Sequence, residues 1–245
     1  MSKSYNFIKK SEWDSSFFNF NIAEIKVNYL DKYVIDELND FIIDENITLT
    51  MGLLNSDDSE SVILAESNNF HFADIRMTLE KKLFQLEAIN LNKSFQVNLA
   101  EKKHIPDIQK MSTFFYRQSR YFFDRNFQSK KIVEFYKGWI EKAVLGLFDD
   151  ECICIFDRKS PIGFCTIKYL SSNSATIGLF GISKKYQNMG LSNYLLKNVN
   201  NILFEKGIKS LSVVTQGRNI AALKSYQRAG FITELTQLWY HKWIN

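Results

Sequence analysis

The pattern of apolar and polar positions is clearest in the second half of the chain. Apolar residues recur at helical spacing over residues 129–148, and again over residues 191–203, shortly before Gly207. Such stripes are typical of amphipathic helices that pack on a core, and glycine is common just after a helix ends. The sequence therefore predicts two long helices, the first with Ser129 as its N-cap and the second ending at Gly207.

Short runs rich in β-branched and aromatic residues surround these helices. They predict strands at residues 95–100, 151–156, 162–170, 175–183, 209–215 and 234–243. Further helices are predicted from Pro106 to Gln118 and over residues 219–230. The order strand, two helices, three strands, helix, strand, helix, strand predicts an α/β (α+β) fold whose mixed sheet carries helices on both faces.

The N-terminal third has a weaker pattern, in which residues 12–27 look strand-rich and residues 34–46 look helical. Residues 47–72 repeat, with few identities, the order of residues 209–231: a strand, a helix, then a small residue before phenylalanine. This order predicts a smaller N-terminal domain that is a degenerate half-copy of the second, and chance similarity is the alternative. The predicted domains are residues 1–93 and 94–245.

Composition narrows the class of protein. With 45% apolar residues and a net charge of +4, the chain has enough apolar material for a packed core and has no run of five basic residues. It has no stretch of eighteen apolar residues and its start lacks a signal-peptide pattern, so we expect a cytoplasmic protein that binds neither nucleic acid nor membrane. Cys152, Cys154 and Cys165 are expected to be buried thiols, and the scattered histidines predict no metal site.

One loop suggests a ligand. A predicted strand runs into Gly181, polar side chains follow at Gln187 and Asn188, and Gly190 directly precedes a helix. The N-terminus of a helix offers unpaired backbone amides to a phosphate, and glycine lets the ligand approach closely. The alternative is an ordinary turn between a strand and a helix.

The loop resembles the CoA-pyrophosphate loop of the GNAT acyltransferase superfamily, whose pattern is Gln/Arg-x-x-Gly-x-Gly/Ala. Here Gln187 and Gly190 match, and Ser192 replaces the last small residue. The superfamily's next landmark, an asparagine followed seven positions later by a tyrosine, matches Asn219 and Tyr226. The resemblance implies a GNAT fold with a mixed, splayed central sheet flanked by helices, and acyl-CoA as co-substrate without a metal.

A closer resemblance is to bacterial N-acyltransferases that act on dTDP-linked amino-dideoxy sugars, the dTDP-fucosamine acetyltransferase-like group. The segments that carry it are residues 12–20, 135–155, 175–182, 213–231 and 239–243. The resemblance implies transfer of an acyl group from CoA to the amine of a dTDP-amino sugar, for a surface polysaccharide. It also implies a small N-terminal domain, which suits a degenerate GNAT half-copy.

The resemblance assigns Tyr226 as the acid that protonates the departing thiolate, with a tyrosine packed beneath its helix as the alternative. Asn219 is expected to bond the pantetheine arm, to cap a helix, or to do both. Gly178 and Gly181 mark either bulges or simple tolerance of glycine in a strand. The residues expected to contact CoA are Leu179, Phe180, Gly181, Ile182, Gln187, Asn188, Met189, Gly190, Leu191, Ser192, Asn219 and Ser225.

The acceptor site is expected around residues 119–127, an aromatic and basic stretch between two predicted helices. Arg120 and Arg125 would hold phosphates, and Tyr121 or Phe122 would stack on the thymine or the sugar. Tyr136 is a further residue expected to bind the substrate. The alternative is that these aromatic side chains join the core and the arginines are solvated. Asp124 is one of several candidates for the general base.

Two other functions remain open at this point. The fold and CoA site are compatible with another amine, such as a polyamine, an antibiotic or a protein N-terminus, and with a non-catalytic domain that binds CoA. The aromatic C-terminal strand at residues 239–243 suits an edge or a contact between subunits, so a homodimer is expected.

Overall fold

The structure is a computed structural model that describes residues 4–89, 95–113 and 115–244. The chain forms two compact units. The first contains Met1–Arg76, Phe123–Arg125 and Thr236–Asn245, and the second contains Met77–Phe122 and Asn126–Leu235. This division differs from the predicted boundary after residue 93, because the last ten residues pack with the first unit. The division into two domains with a boundary after residue 93 stays a prediction.

Both units contain strands and helices. In chain order they are β1 (Ile8–Lys10), α1 (Glu12–Phe18), β2 (Ile22–Ile25), α2 (Lys32–Asp44), β3 (Leu49–Asn55), α3 (Ser59–Ser67), β4 (His71–Lys82), β5 (Gln96–Leu99), α4 (Ile105–Ser112), α5 (Arg120–Phe123), α6 (Ser129–Val144), β6 (Glu151–Asp157), β7 (Ser160–Ser171), β8 (Ser174–Ile182), α7 (Leu191–Glu205), β9 (Ser210–Gln216), α8 (Ile220–Arg228) and β10 (Ile232–Trp243).

Both units contain mixed sheets. In the first unit the strand order is β1–β2–β3–β10, where β2 and β3 are parallel and the other pairs are antiparallel. In the second unit the order is β4–β9–β8–β7–β6–β5, where β8 and β9 are parallel and the pairs from β8 to β5 are antiparallel. A parallel pair needs a crossover, and α2 and α7 provide one in each unit.

Helices cover both faces of the sheet in the second unit. Cys165 of β7 joins a core cluster with Leu195 and Val199 of α7. Thr166, the next residue, bonds to Asp149, which also bonds to Trp139 of α6. Because successive strand residues point to opposite faces, α7 and α6 lie on opposite sides of the sheet. The predicted α/β class with a mixed sheet flanked by helices is confirmed.

The long helix after the loop is confirmed as α7. Its end has the geometry expected of a Schellman motif, in which Gly207 adopts φ 84° and Ile208 N donates to Leu203 O at 3.0 Å. The three cysteines are free and buried, as predicted. They lie in β6 and β7, and none of them forms a disulfide.

Three local predictions were wrong. The N-cap of α6 is Gln128 and not Ser129, because Ser129 already has helical geometry. The helix predicted to reach Gln118 ends at Ser112. There the Ser112 and Thr113 hydroxyls both donate to Gln109 O and compete with the backbone amide that would continue the helix. Residues 12–18 form α1 and not a strand.

The predicted internal repeat has local counterparts in the two units. Asp58 accepts a hydrogen bond from Ser61 N at the start of α3, as Asn219 accepts one from Ala222 N at the start of α8. After α3, Asn69 has the left-handed φ of 62° that Gly230 shows, at 89°, after α8.

The ends of these two helices also match. Phe70 N donates to Ala65 O at 3.0 Å, and Phe231 N donates to Tyr226 O at 3.0 Å. Ala65 of the first unit therefore stands at the position of Tyr226 in the second. These matches support the half-copy interpretation, and they show that the first unit lacks a tyrosine at this position.

Candidate functional site

A row of unpaired backbone amides follows β8. Among the residues that the structure describes, the N–H groups of residues 188–193 donate to no protein acceptor. The N-cap of α7 is Gly190, so no side chain occupies the start of this helix. The amides and the positive end of the α7 dipole form a concave donor site for an anion.

The loop is held open by two left-handed residues. Asn188 has φ 62° and Gly190 has φ 76°, conformations that asparagine and glycine tolerate better than other residues. Gln187 Nε2 donates to Ile182 O at 3.0 Å and fastens the loop to the end of β8. Lys184 and Lys185 are exposed beside it and add positive charge.

The first unit closes the corresponding position with its own side chain. At the start of α2, the Asp31 carboxyl accepts from Val34 N at 2.9 Å. The residue before Asp31 is also bonded within the unit, because Leu30 N donates to Ser61 Oγ at 2.7 Å. A carboxyl group at this helix terminus competes with an anionic ligand, so the start of α2 is a poorer anion site than the start of α7.

A gap opens between β8 and β9 next to the loop. Their parallel pairing runs from Ser174 with Ser210 to Ile177 with Val213 and then stops. β8 continues to Ile182 and β9 to Gln216 without further pairing between them. The backbone of Leu179–Ile182 therefore has an edge available for an extended ligand, in the manner of an added strand.

A bulge lies where this gap begins. Cys165 pairs with Phe180 and Ile167 pairs with Ile177, so Thr166 faces one extra residue of β8. Gly178 lies in this bulge, where a Cβ would collide with Asp149 and Thr166. Gly181 lies in regular pairing, and a Cβ there would collide with the ring of Phe115.

Tyr226 is a buried residue of α8 with 5% of its surface exposed. Its ring packs against Phe180 of β8 at 6.0 Å and Phe231 at 5.7 Å between centroids. Burial, with a smaller effect of Cys165, raises its pKa well above the usual value for tyrosine. Within the described part of the chain, Tyr226 Oη has no hydrogen-bond partner. Both the packing expected of a core tyrosine and the neutral hydroxyl expected of an acid are present.

Asn219 caps α8, since its Oδ1 accepts from Ala222 N at 3.2 Å. Its side-chain amide nitrogen has no partner within the described residues and is available to a ligand. Ser225 is half-buried on the same helix, next to Tyr226. Met189 is 40% exposed, whereas Leu191 is buried in the core, so Leu191 can contribute its backbone amide only.

A small pocket is lined by Ser112, Thr113, Tyr116, Phe122, Val133 and Tyr136. Tyr116 stacks on Tyr136 with ring centroids 4.1 Å apart. The Tyr116 hydroxyl is buried without a partner, and burial raises its pKa well above the usual value. Tyr136, predicted to contact the acceptor, lines this pocket, which has room for about one water molecule.

Phe122, also predicted to contact the acceptor, lines the same pocket, whereas Tyr121, Arg120 and Arg125 do not. Tyr121 is buried, and its ring packs on Phe127 and Phe135 in the core. Tyr121 thus follows the packing alternative. Arg120, which that alternative expected to be solvated, donates from Nη2 to the Tyr121 hydroxyl at 2.8 Å. Arg125 is exposed and belongs to the first unit.

Asp124 also belongs to the first unit, where it accepts hydrogen bonds from two residues of β10. The distances from its Oδ2 are 2.7 Å to His241 Nδ1 and 2.9 Å to Trp243 Nε1. These bonds give Asp124 a structural role in that unit. It is therefore a poor candidate for a general base.

Sequence reasoning missed the pair Asp149 and Thr166. Asp149 belongs to an acidic run at residues 149–151, which is typical of a solvated turn, yet it is buried. Its partner Thr166 is 17 positions away, and no local pattern links them.

No helix among the described residues is long and apolar enough to cross a membrane. Within the same residues, no group of three His, Cys, Asp or Glu side chains lies close enough to hold a metal ion.

Comparison with known proteins agrees with this geometry. The family described as "Acetyltransferase (GNAT) family" matches residues 110–231, which include the amide row and Tyr226. Residues 110–231 form a GNAT acetyltransferase domain. The chain is also 30% identical over 145 residues to dTDP-fucosamine acetyltransferase of Escherichia coli O6:H1 (strain CFT073). That match covers 59% of this chain and 62% of the relative, so the chain aligns with less than two thirds of the relative's length.

Solved GNAT structures share the fold of this chain. A GCN5-related N-acetyltransferase from Sphaerobacter thermophilus has a TM-score of 0.65 at 11% identity, covering 91% of this chain and 72% of that one. A tandem GNAT protein from the clavulanic acid biosynthesis pathway has a TM-score of 0.61 at 8% identity, covering 91% and 75%. At such low identity the likeness shows the fold alone, and the predicted GNAT fold is confirmed.

Proposed function

We propose that this protein transfers an acetyl or related acyl group from CoA to the amino group of a dTDP-linked amino-dideoxyhexose, such as a 3-amino or 4-amino-dideoxygalactose, for surface polysaccharide synthesis. The observation that carries the CoA part is the row of unpaired amides at residues 188–193, beside an open strand edge and a buried tyrosine without a partner.

The residues present fit a CoA molecule. The amides of residues 188–193 suit the pyrophosphate, and the free edge of Leu179–Ile182 suits the amides of the pantetheine arm. Asn219 caps α8 and Ser225 lies on it, and Tyr226 of the same helix packs on Phe180 of β8. CoA supplies the acyl group as a thioester, and the chain's own residues position it.

Tyr226 acts as the proton donor in this proposal. Because burial raises its pKa, its hydroxyl stays protonated throughout the neutral range and is present as a donor for the departing sulfur, although the same shift makes it a weaker acid. The resulting phenolate is unfavourable in a buried site, so Tyr226 recovers its proton readily.

The acceptor part rests on similarity to an enzyme named for dTDP-fucosamine. The pocket beside the stacked rings of Tyr116 and Tyr136 has room for no more than about one water molecule, so it adds no support for a sugar site. The basis for a homodimer is weaker than expected, because residues 237–243 of β10 pair with β3 and do not form an open edge on that side. A homodimer stays a prediction, and light scattering after size exclusion tests it.

The test is an acceptor screen with acetyl-CoA and a thiol reagent that detects free CoA. Each dTDP-amino sugar should release CoA and gain one acetyl group by mass spectrometry. A polyamine, an aminoglycoside and a peptide with a free N-terminus serve as comparison acceptors. Turnover of one of these alone would move the substrate assignment to that amine. CoA binding without turnover of any amine would favour a non-catalytic domain.

A further inference from the structure

We propose that Asp149 is a positioning residue of the acyl-CoA site, which acts through Thr166 to fix the bulge in β8. The inference rests on the proposed function, because it assigns the bulge a role in binding acyl-CoA. It concerns two buried side chains outside the loop and outside α8, and neither touches the reacting atoms.

The first observation is a chain of hydrogen bonds with a fixed direction. Leu179 N donates to Thr166 Oγ1 at 2.7 Å, so the single hydroxyl proton of Thr166 is left to donate elsewhere. It donates to Asp149 Oδ2 at 2.5 Å. Trp139 Nε1, which can only donate, reaches the same oxygen at 3.0 Å. Asp149 is therefore the acceptor on which the chain of bonds ends.

The second observation is the fit of glycine against this pair. A Cβ at Gly178 would lie 2.8 Å from Thr166 Oγ1 and would also collide with Asp149 Oδ2. The φ of Gly178 is not positive. Glycine is therefore required here because a side chain would collide, and not because of the backbone conformation. The Asp149 carboxyl group thus packs directly on the backbone of the bulge.

The third observation is position. The bulge lies between Ile177 and Phe180, and Ile177 is the last residue of β8 that pairs with β9. The Leu179 amide donates to the Thr166 hydroxyl instead of to a backbone carbonyl of β7, as it would in regular pairing. The pairing of β8 with β9 also ends at this point. Asp149 and Thr166 therefore hold the strand whose free edge is proposed to bind pantetheine.

The fourth observation is burial. Asp149 is 3% exposed and Thr166 is fully buried. If one partner is lost, the polar groups of the other have neither a hydrogen-bond partner nor water to replace it. An apolar pair could fill the same volume, but it would not select one register for β8, since side-chain packing alone tolerates small shifts. The polar pair sets one position for Leu179 and the residues that follow.

The test compares Thr166→Val, which keeps the shape and removes the hydroxyl, with Thr166→Ser, which restores it. Thr50→Val is the control for removing a buried strand hydroxyl, since Thr50 is fully buried in the first unit and its hydroxyl has no hydrogen-bond partner among the described residues. We expect Thr166→Val to raise the Kd for CoA and the KM for acetyl-CoA about tenfold, the effect of one unsatisfied buried amide. Thr166→Ser should stay within about twofold of wild type, and so should Thr50→Val.

Asp149 is tested by the same measurements. Asp149→Asn keeps an acceptor oxygen and is expected to bind CoA nearly as wild type does, whereas Asp149→Leu should resemble Thr166→Val. Amide hydrogen exchange at residues 178–181 should accelerate about tenfold or more in Thr166→Val and Asp149→Leu, and not in Thr50→Val, with or without CoA. This readout follows the bulge itself.

The outcomes separate the two proposals. Unchanged CoA affinity and unchanged exchange in Thr166→Val would overturn the positioning role. Equal losses of affinity in Thr50→Val and Thr166→Val would also overturn it, because they would reflect general destabilisation. If wild type binds no CoA, the proposed function fails and the positioning role falls with it, even where faster exchange shows that Asp149 and Thr166 hold the bulge.

Discussion

The most specific consequence of the site is that one added charge should have opposite effects on folding and on binding. Ser192 is the second residue of α7, and its amide is one of the unpaired donors. Ser192→Asp places a carboxylate at the positive end of the helix dipole. It should raise the free energy of unfolding by about 0.3–1 kcal/mol.

The same carboxylate should repel a bound pyrophosphate. A phosphate oxygen bonded to the Ser192 amide would lie within about 6 Å of the new charge. At an effective dielectric constant of about 20, two unit charges at that distance repel by about 3 kcal/mol, which is roughly a hundredfold in Kd. The loss should shrink at high salt, because the loop is exposed.

Titration calorimetry with CoA and urea unfolding measure the two effects on the same protein. Ser192→Asn is the uncharged control of similar shape. Ser172→Asp adds the same charge to an exposed residue before β8 and controls for net charge. Both controls should bind CoA within about threefold of wild type. If Ser192→Asp bound CoA as tightly as Ser172→Asp, the amide row would not be the pyrophosphate site.

Three further predictions follow from Tyr226 and from the two units. Tyr226→Phe should lower kcat by about 10²–10³ while leaving the Kd for CoA nearly unchanged, and full activity would rule out its role as acid. Burial raises the pKa of Tyr226 above its value in the unfolded chain, so the free energy of unfolding should fall as pH rises above about 10. Urea unfolding at pH 8 and pH 11 should show a smaller fall in Tyr226→Phe than in wild type. Calorimetry should give one CoA per chain, because the first unit has Ala65 in place of Tyr226 and Asp31 at the start of α2. A stoichiometry of two would contradict that interpretation.

The sequence predicted the parts of the site that depend on local pattern. The stripe of α7, the glycine after it and the asparagine that caps α8 are set by neighbours within a few positions. The positions of Gly190 at the start of α7 and of Tyr226 on α8 were predictable because the pattern of the sequence predicts both helices. A bulge at Gly178 was one of two alternatives, and the pairing of β7 with β8 supports it.

Other features depend on contacts between distant residues. Asp149 looks like a turn residue until Thr166 and Trp139 are brought to it. Tyr121 looks like a surface aromatic until Phe127 and Phe135 surround it. Residues 237–243 look like a free terminal strand until β3 pairs with them. Each case requires the tertiary structure, because no periodicity in the sequence joins the partners.

The most direct test of the central claim is a crystal structure of the protein with CoA. We predict that pyrophosphate oxygens lie within hydrogen-bond distance of the amides of residues 188–193, that the pantetheine arm lies between β8 and β9, and that the sulfur is next to Tyr226 Oη. CoA bound elsewhere, or a gap between β8 and β9 that stays closed to the pantetheine arm, would contradict this account.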